Sequence, residues 1–311
     1  MARNDAVKRW LILQLLFLSV ALAGCATSPV NHYNRGVTFH DRGEFLMAAK
    51  EYKRAIELNP DDPAPRFNLG VLYQDNGQLD LARAQYLSIL SKHPNYTAAW
   101  LNLSSIEEME GRLQEAERYL RTAMESDNDS PVAATHLGLF LLRQGRLQEA
   151  EKALQLALQR DPNWANAHFG MGLLAEIKGD HDGAGKSFQE TIRRNPLDLE
   201  AHLKLAALMK QRNDLEAAVR HLRQAAHLDP SRGDVFLRLG GLLQEMGRWK
   251  AAQEAYERAL HLGQDKAACH LALSQIHQRL ALEEMDAYRR ELLKRLETGS
   301  PPSDTTKDQD S

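Results

Sequence analysis

Basic residues are not in excess in this chain. Lys and Arg number 39 against 42 Asp and Glu, a formal charge of −3, so it lacks the cationic field with which proteins hold a nucleic-acid backbone. Cysteine is scarce: Cys25 and Cys269 make one possible pair and no disulfide framework. Aromatics are 6%, and Val, Ile and Thr are sparse. Ala, Leu, Gln, Glu and Arg dominate, a helix-forming composition. The 311 residues suffice for two ordinary domains or one long repeat array.

The N-terminus carries the one long apolar run. Arg3, Lys8 and Arg9 precede a nearly unbroken apolar stretch from Trp10 to Ala23. A membrane span needs about 20 apolar residues, so this run has signal-peptide length. It closes on Leu22-Ala23-Gly24-Cys25, which resembles the bacterial lipobox. That resemblance implies cleavage after residue 24, a lipidated Cys25 carrying diacylglycerol and palmitate, and a short tether over 25–28. Several acyl chains at about 0.8 kcal/mol per buried CH₂ anchor a protein stably. Ala26 follows the cysteine where inner-membrane lipoproteins commonly carry Asp. The expected location is therefore the cell envelope, on the periplasmic face of the outer membrane if the organism is Gram-negative.

Beyond the leader the chain is periodic. Pro60, Pro94, Pro162, Pro196 and Pro230 are separated by 34 residues or a multiple of it. Gly36, Gly70, Gly138, Gly172 and Gly240 share a second register, with Ser104 and Ala206 in its gaps. Gly43, Gly77, Gly111, Gly145, Gly179 and Gly247 share a third, with Asn213 in the gap, and an alanine recurs without a break from Ala48 to Ala252. The period and these residues resemble the tetratricopeptide repeat, a helix–turn–helix unit. The resemblance implies an all-α, right-handed superhelical solenoid of stacked antiparallel helix pairs. Seven units follow, at 29–62, 63–96, 97–130, 131–164, 165–198, 199–232 and 233–266. Within 131–164, helices are expected at about 132–144 and 147–160, with Gly145 ending the first and Pro162 stopping the second. Residues 267–297 read as degenerate capping helices, with Ala281 in place of the turn glycine, and 298–311 as a disordered tail.

The stretch GDHDGAGKS at 179–187 looks at first like a phosphate-binding loop. Such a loop needs glycine five residues before the Gly of Gly-Lys-Ser, and Asp180 stands there. In the repeat register Gly179 ends a helix, Ala184 is the small contact residue, Phe188 fills the large core position, and Lys186 and Ser187 lie in the first turns of a helix. His32, His168, His202 and His270 share the fourth position of their units, roughly one unit apart, which is too far to ligate one metal. Cys269 reads as a solitary, partly buried thiol. No catalytic site, metal or cofactor emerges, and neither nucleic acid nor a small-molecule substrate is indicated.

In the tetratricopeptide family the first helix of each unit lines a concave groove that binds peptide segments. Carried onto this chain, position five supplies Phe67, Leu101, Phe169, Leu203 and Leu237, an apolar floor suited to a docked helix or extended peptide. Position six supplies Asn34, Asn68 and Asn102, then turns basic at Lys204 and Arg238. The three asparagines resemble the carboxamide ladder of O-linked N-acetylglucosamine transferases, since an amide both donates to and accepts from a peptide backbone. The expected function is a lipid-anchored scaffold or adaptor for other proteins, serving pilus or secretin, peptidoglycan or polysaccharide-export assembly. The alternative is a non-catalytic regulatory subunit of an envelope enzyme. A nucleotide-binding enzyme acting through GAGKS is the alternative of another class, and the register argument disfavours it.

Overall fold

A computed structural model describes residues 28–298. The leader, Cys25 and most of the tether lie outside the described residues, as does the tail from 299 onward. Fifteen helices make up the described chain. They are α1 (Pro29–Asp41), α2 (Phe45–Leu58), α3 (Pro63–Asp75), α4 (Leu79–Lys92), α5 (Thr97–Met109), α6 (Leu113–Ser126), α7 (Val132–Arg143) and α8 (Leu147–Arg160), followed by α9 (Ala165–Ile177), α10 (His181–Arg194), α11 (Leu199–Gln211), α12 (Leu215–Leu228), α13 (Gly233–Glu245), α14 (Trp249–His261) and α15 (Lys266–Thr298). The chain divides into two compact units, one up to Gly170 and one from Met171.

Local chemistry sets the helix ends. Pro29 and Pro63 occupy the first turn, and the side chains of Ser28, Asp62, Asp198 and Asp214 cap exposed backbone N–H groups. Between the two helices of a pair the backbone turns left-handed. Gly43, Gly77, Gly111, Gly145, Gly179 and Gly247 have φ of 71–77°, and Asn213, the gap in that glycine register, follows at φ 60°. Helices α2, α4, α8, α10 and α12 each stop two residues before the recurring proline, whose missing N–H and fixed ring bar continuation.

Packing within a pair is a size match. A Cβ on Gly36 would meet Tyr52 at 2.5 Å, on Gly70 Tyr86 at 2.6 Å, on Gly172 Phe188 at 2.5 Å and on Gly240 Tyr256 at 3.0 Å. Where the facing residue is Leu120 or Leu222, the same position holds Ser104 or Ala206. The glycines are therefore required by bulky rings rather than by backbone contact. Leu154 is the exception: it lies under both Gly138 and Gly170, each of whose Cβ atoms would meet it at 2.6 Å. Ala48, Ala82, Ala116, Ala150, Ala184, Ala218 and Ala252 are buried throughout.

At the C-terminus residues 266–298 form one uninterrupted helix. Ala281 occupies the place of the left-handed glycine, so nothing breaks the run of helix formers. Cys269, Ala272, Leu273 and Ile276 join the core of the second compact unit. Among the described residues no helix is long and apolar enough to cross a membrane.

Candidate peptide-binding groove

The histidine register has a structural origin. Ring N–H groups at position four reach back to the carbonyl of the turn proline six residues earlier: Trp100 Nε1 to Pro94 at 2.8 Å, His168 Nε2 to Pro162 at 2.9 Å and His202 Nε2 to Pro196 at 3.2 Å. The other face of position four clasps position 23 of its own unit. His32 Nδ1 lies 2.6 Å from Glu51, and Arg66 donates to Gln85 at 3.4 Å. Trp100 packs on Tyr119 with ring centroids 5.5 Å apart, and His202 Nδ1 lies 3.1 Å from His221 Nδ1. Because His202 Nε2 holds its proton toward Pro196, its Nδ1 accepts the proton of His221 Nδ1. Burial, His202 and Arg220 hold His221 below the ordinary histidine range. Sequence reading missed this pair because positions four and 23 become neighbours only when the hairpin closes. His270 is exposed, and no group of three or more metal-ligating side chains occurs among the described residues.

The apparent phosphate loop is already filled. Asp180 Oδ1 accepts from Gly183 N at 2.8 Å as the N-cap of α10, so a phosphate there would meet a carboxylate. Arg212 donates to the His181 carbonyl at 3.1 Å and pairs with Asp182. Lys186 is exposed, while Ala184 and Phe188 are fully buried.

The first helices carry the residues expected to line a groove. In the first compact unit Phe67 and Leu101 are half-buried, and Phe67 sits between Tyr86 and Tyr96 with centroid separations of 5.7 and 5.5 Å. Asn34 is exposed. Asn68 Nδ2 donates to the Tyr33 hydroxyl at 3.2 Å, and Asn102 Nδ2 donates to the Tyr86 hydroxyl at 3.0 Å. Tyr86 in turn donates to Gln74 Oε1 at 3.2 Å. Two of the three ladder amides are thus oriented by tyrosines of the scaffold. Burial pushes the Tyr52 and Tyr86 phenols up to about 12. Tyr52 has no hydrogen-bond partner for its buried hydroxyl, the nearby Asn68 amide being turned to Tyr33. Phe169 is half-buried.

In the second compact unit Leu203 is a correction. It is 5% exposed and belongs to the core cluster, because α11 is packed by both α12 and α13, so it forms the floor of the face and offers little surface itself. Thr135, at the same register in the first compact unit, is also buried. Leu237 is half-buried against the core. Lys204 pairs with Glu176 at 2.6 Å, and Arg238 with Asp234 at 3.6 Å. Between α11 and α13 lies a cavity of ≈ 220 Å³. Leu203, Leu222 and Leu242 make its floor, Ala207 and Gly241 leave the space, and Lys210 and Arg238 stand at its rim. Ligand pockets usually hold roughly 300–1,000 Å³, so this one has room for about one side chain, and Lys210 at its rim pairs with Glu245 at 3.6 Å.

A buried charge cluster braces the first compact unit. Glu107, 3% exposed, receives Arg83 Nε at 2.9 Å and also Arg112, while both arginines contact Glu110. Burial alone would raise the Glu107 carboxyl, but the hydrogen bonds and charges of Arg112 and Arg83 outweigh it and hold it below its ordinary value.

Comparison with known proteins places this architecture. The family described as cilia and flagella-associated protein 70 C-terminal domain, a tetratricopeptide-repeat family, matches residues 23–234, and the tetratricopeptide repeat matches residues 210–276. The chain belongs to this tetratricopeptide-repeat family. No curated protein matches the sequence. Among solved structures, a tetratricopeptide repeat protein from Parabacteroides merdae is 19% identical with a TM-score of 0.54, covering 80% of this chain and 98% of its own. Yeast Tom70 is 16% identical at TM-score 0.64 over 82% of this chain and 54% of its own. The APC/C hetero-tetramer Cut9–Hcn1 is 16% identical at TM-score 0.60, over 80% and 48%. The tetratricopeptide chain thus spans about half the length of the last two. At these identities the likeness shows the fold alone, an all-α stack of helix pairs.

Proposed function

We propose that the chain is a lipid-anchored, extracytoplasmic adaptor that captures a protein segment on the face made by its first helices. The observation that carries this reading is the α11–α13 cavity: an apolar floor with room for one side chain, beside two cationic groups, is the recognition chemistry of a short segment bearing a large apolar residue and a carboxylate. The oriented amides of Asn68 and Asn102 support backbone capture on the corresponding face of the first compact unit. Assembly of an envelope complex is the process proposed.

The Leu-Ala-Gly-Cys sequence supports the anchor. So does the first helix pair, where Phe45, Leu46 and Met47 are exposed, Leu46 at 88%, next to Lys50, Lys53 and Arg54. Such a surface suits lipid headgroups. Cys25→Ala should abolish palmitate labelling and leave unprocessed precursor; continued labelling would refute the anchor.

The groove is tested by in-membrane crosslinking followed by capture of the bound protein. Ala207→Glu, at an exposed site, should fill the cavity and reduce capture at least tenfold, and Lys210→Glu with Arg238→Glu should do the same. Leu203→Asp is not a usable probe, because it would place a charge in the core. Capture that survives both sets in a folded protein would remove the cavity from the function.

A further inference from the structure

Helix α15 outruns the fold it caps. Its first half packs through Cys269, Leu273, Ile276 and Leu280 on the core of the second compact unit. From residue 281 to 294 every residue is exposed. An unsupported helix of this length is marginal in water. It also carries an apolar stripe: Leu282, Met285, Tyr288, Leu292 and Leu293 are 42–68% exposed and recur at the three- and four-residue spacing that places them on one side.

The charges say what fits that stripe. Asp286 borders it in the first half and Arg289 lies within it in the second, while Glu283, Glu284, Arg290, Glu291 and Lys294 fall on the other side of the helix. Glu283 also pairs with Arg279 at 3.7 Å. Arg289 falls within the stripe, between Met285 and Leu292. A parallel copy would set Arg289 against Arg289 and acid against acid. An antiparallel copy brings Asp286 against Arg289 at both ends of the contact. With the two-fold axis between Ala287 and Tyr288, Leu282 faces Leu293 of the second copy and Asp286 faces its Arg289. The segment is complementary to itself reversed, which is the condition for an isologous two-fold interface.

We propose that the chain forms a homodimer through antiparallel pairing of residues 281–294 of two copies. The interface is one helix pair of four turns, so the dimer dissociates on dilution, and it leaves the α11–α13 cavity outside the contact.

Two full-length variants carrying Leu282→Cys and Leu293→Cys, differently tagged, are co-expressed and mildly oxidised in isolated membranes, with the parent chain as the control for Cys25. The native Cys269 is buried. The expected product is a mixed disulfide at twice the chain mass, at least tenfold more abundant than the self-disulfide of either variant alone. Asp286→Arg in both chains should reduce it at least tenfold, and Arg289→Asp added to that pair should restore it. These positions are exposed, so helical content measured by circular dichroism should not change. Self-disulfides equal to the mixed product would show parallel pairing and overturn the proposal. Absence of any dimer, or crosslinks to a different protein in its place, would overturn it as well.

Discussion

Gly70→Ala probes the size match that holds each helix pair together. A Cβ at this position would lie 2.6 Å from Tyr86 Cε1 and 2.9 Å from Cζ, where ordinary carbon contacts begin near about 3.5 Å. The ring must therefore retreat by roughly 1 Å. It is not free to do so, because its hydroxyl accepts from Asn102 at 3.0 Å and donates to Gln74 at 3.2 Å. Overpacking costs about 1–3 kcal/mol, and a weakened hydrogen bond adds about 1. Replacing a mid-helix glycine by alanine offsets this by roughly 1 kcal/mol. The net expectation is a loss of about 1–3 kcal/mol. Urea unfolding followed by helical circular dichroism measures it, as a change in midpoint compared at constant slope. In a Tyr86→Leu background the alanine should cost less, as Ala206 faces Leu222 in another unit, although Leu154 still crowds Gly138. The cycle should show coupling of at least about 1 kcal/mol. If Gly70→Ala stabilises the parent protein, or costs the same with and without Tyr86, the glycine register does not arise from ring packing.

Glu107→Ala leaves Arg83 with Asp80 and Glu110 and Arg112 with Glu110, both arginines partly exposed, and should cost about 1–2 kcal/mol in chemical denaturation, the worth of the lost charged hydrogen bonds. Since the Glu107 carboxyl is held below its ordinary value, its contribution is complete above the unfolded value near about 4.3 and disappears as pH falls through the folded one. The variant should therefore lose less stability than the parent below that pH. His221 is depressed, so the unfolded chain binds its proton first and stability declines as pH drops below the ordinary histidine value of 6.5. His221→Gln should flatten that slope in thermal melts between about pH 7 and 5. Ala184→Leu should lose about 1–3 kcal/mol by overpacking a fully buried site, while Lys186→Ala should stay within about 0.5 kcal/mol. Micromolar nucleotide binding that Lys186→Ala abolishes would reverse that reading.

The sequence by itself determined the helix pairs, because their signals are local. A left-handed turn needs glycine or asparagine at one position, and a proline two residues beyond a helix forbids its continuation. Both recur every 34 residues, which is why the ends of α7 and α8 fall within a residue of expectation. The same logic disposed of GDHDGAGKS, whose aspartate is a helix cap. Tertiary structure decided what the side chains of those helices do. Leu203 lies on a first helix at the groove register, yet it is buried, because two neighbouring helices close over it. Asn68 and Asn102 are oriented by tyrosines 35 and 16 residues away, a distance no local pattern encodes. The His202–His221 clasp, the Glu107 cluster and the α11–α13 cavity likewise exist only where separate helices meet. At the C-terminus the local signal was an absence, the missing glycine at Ala281. Only the packing, which stops at Leu280, shows that the helix continues past its support and carries an apolar face beyond the core.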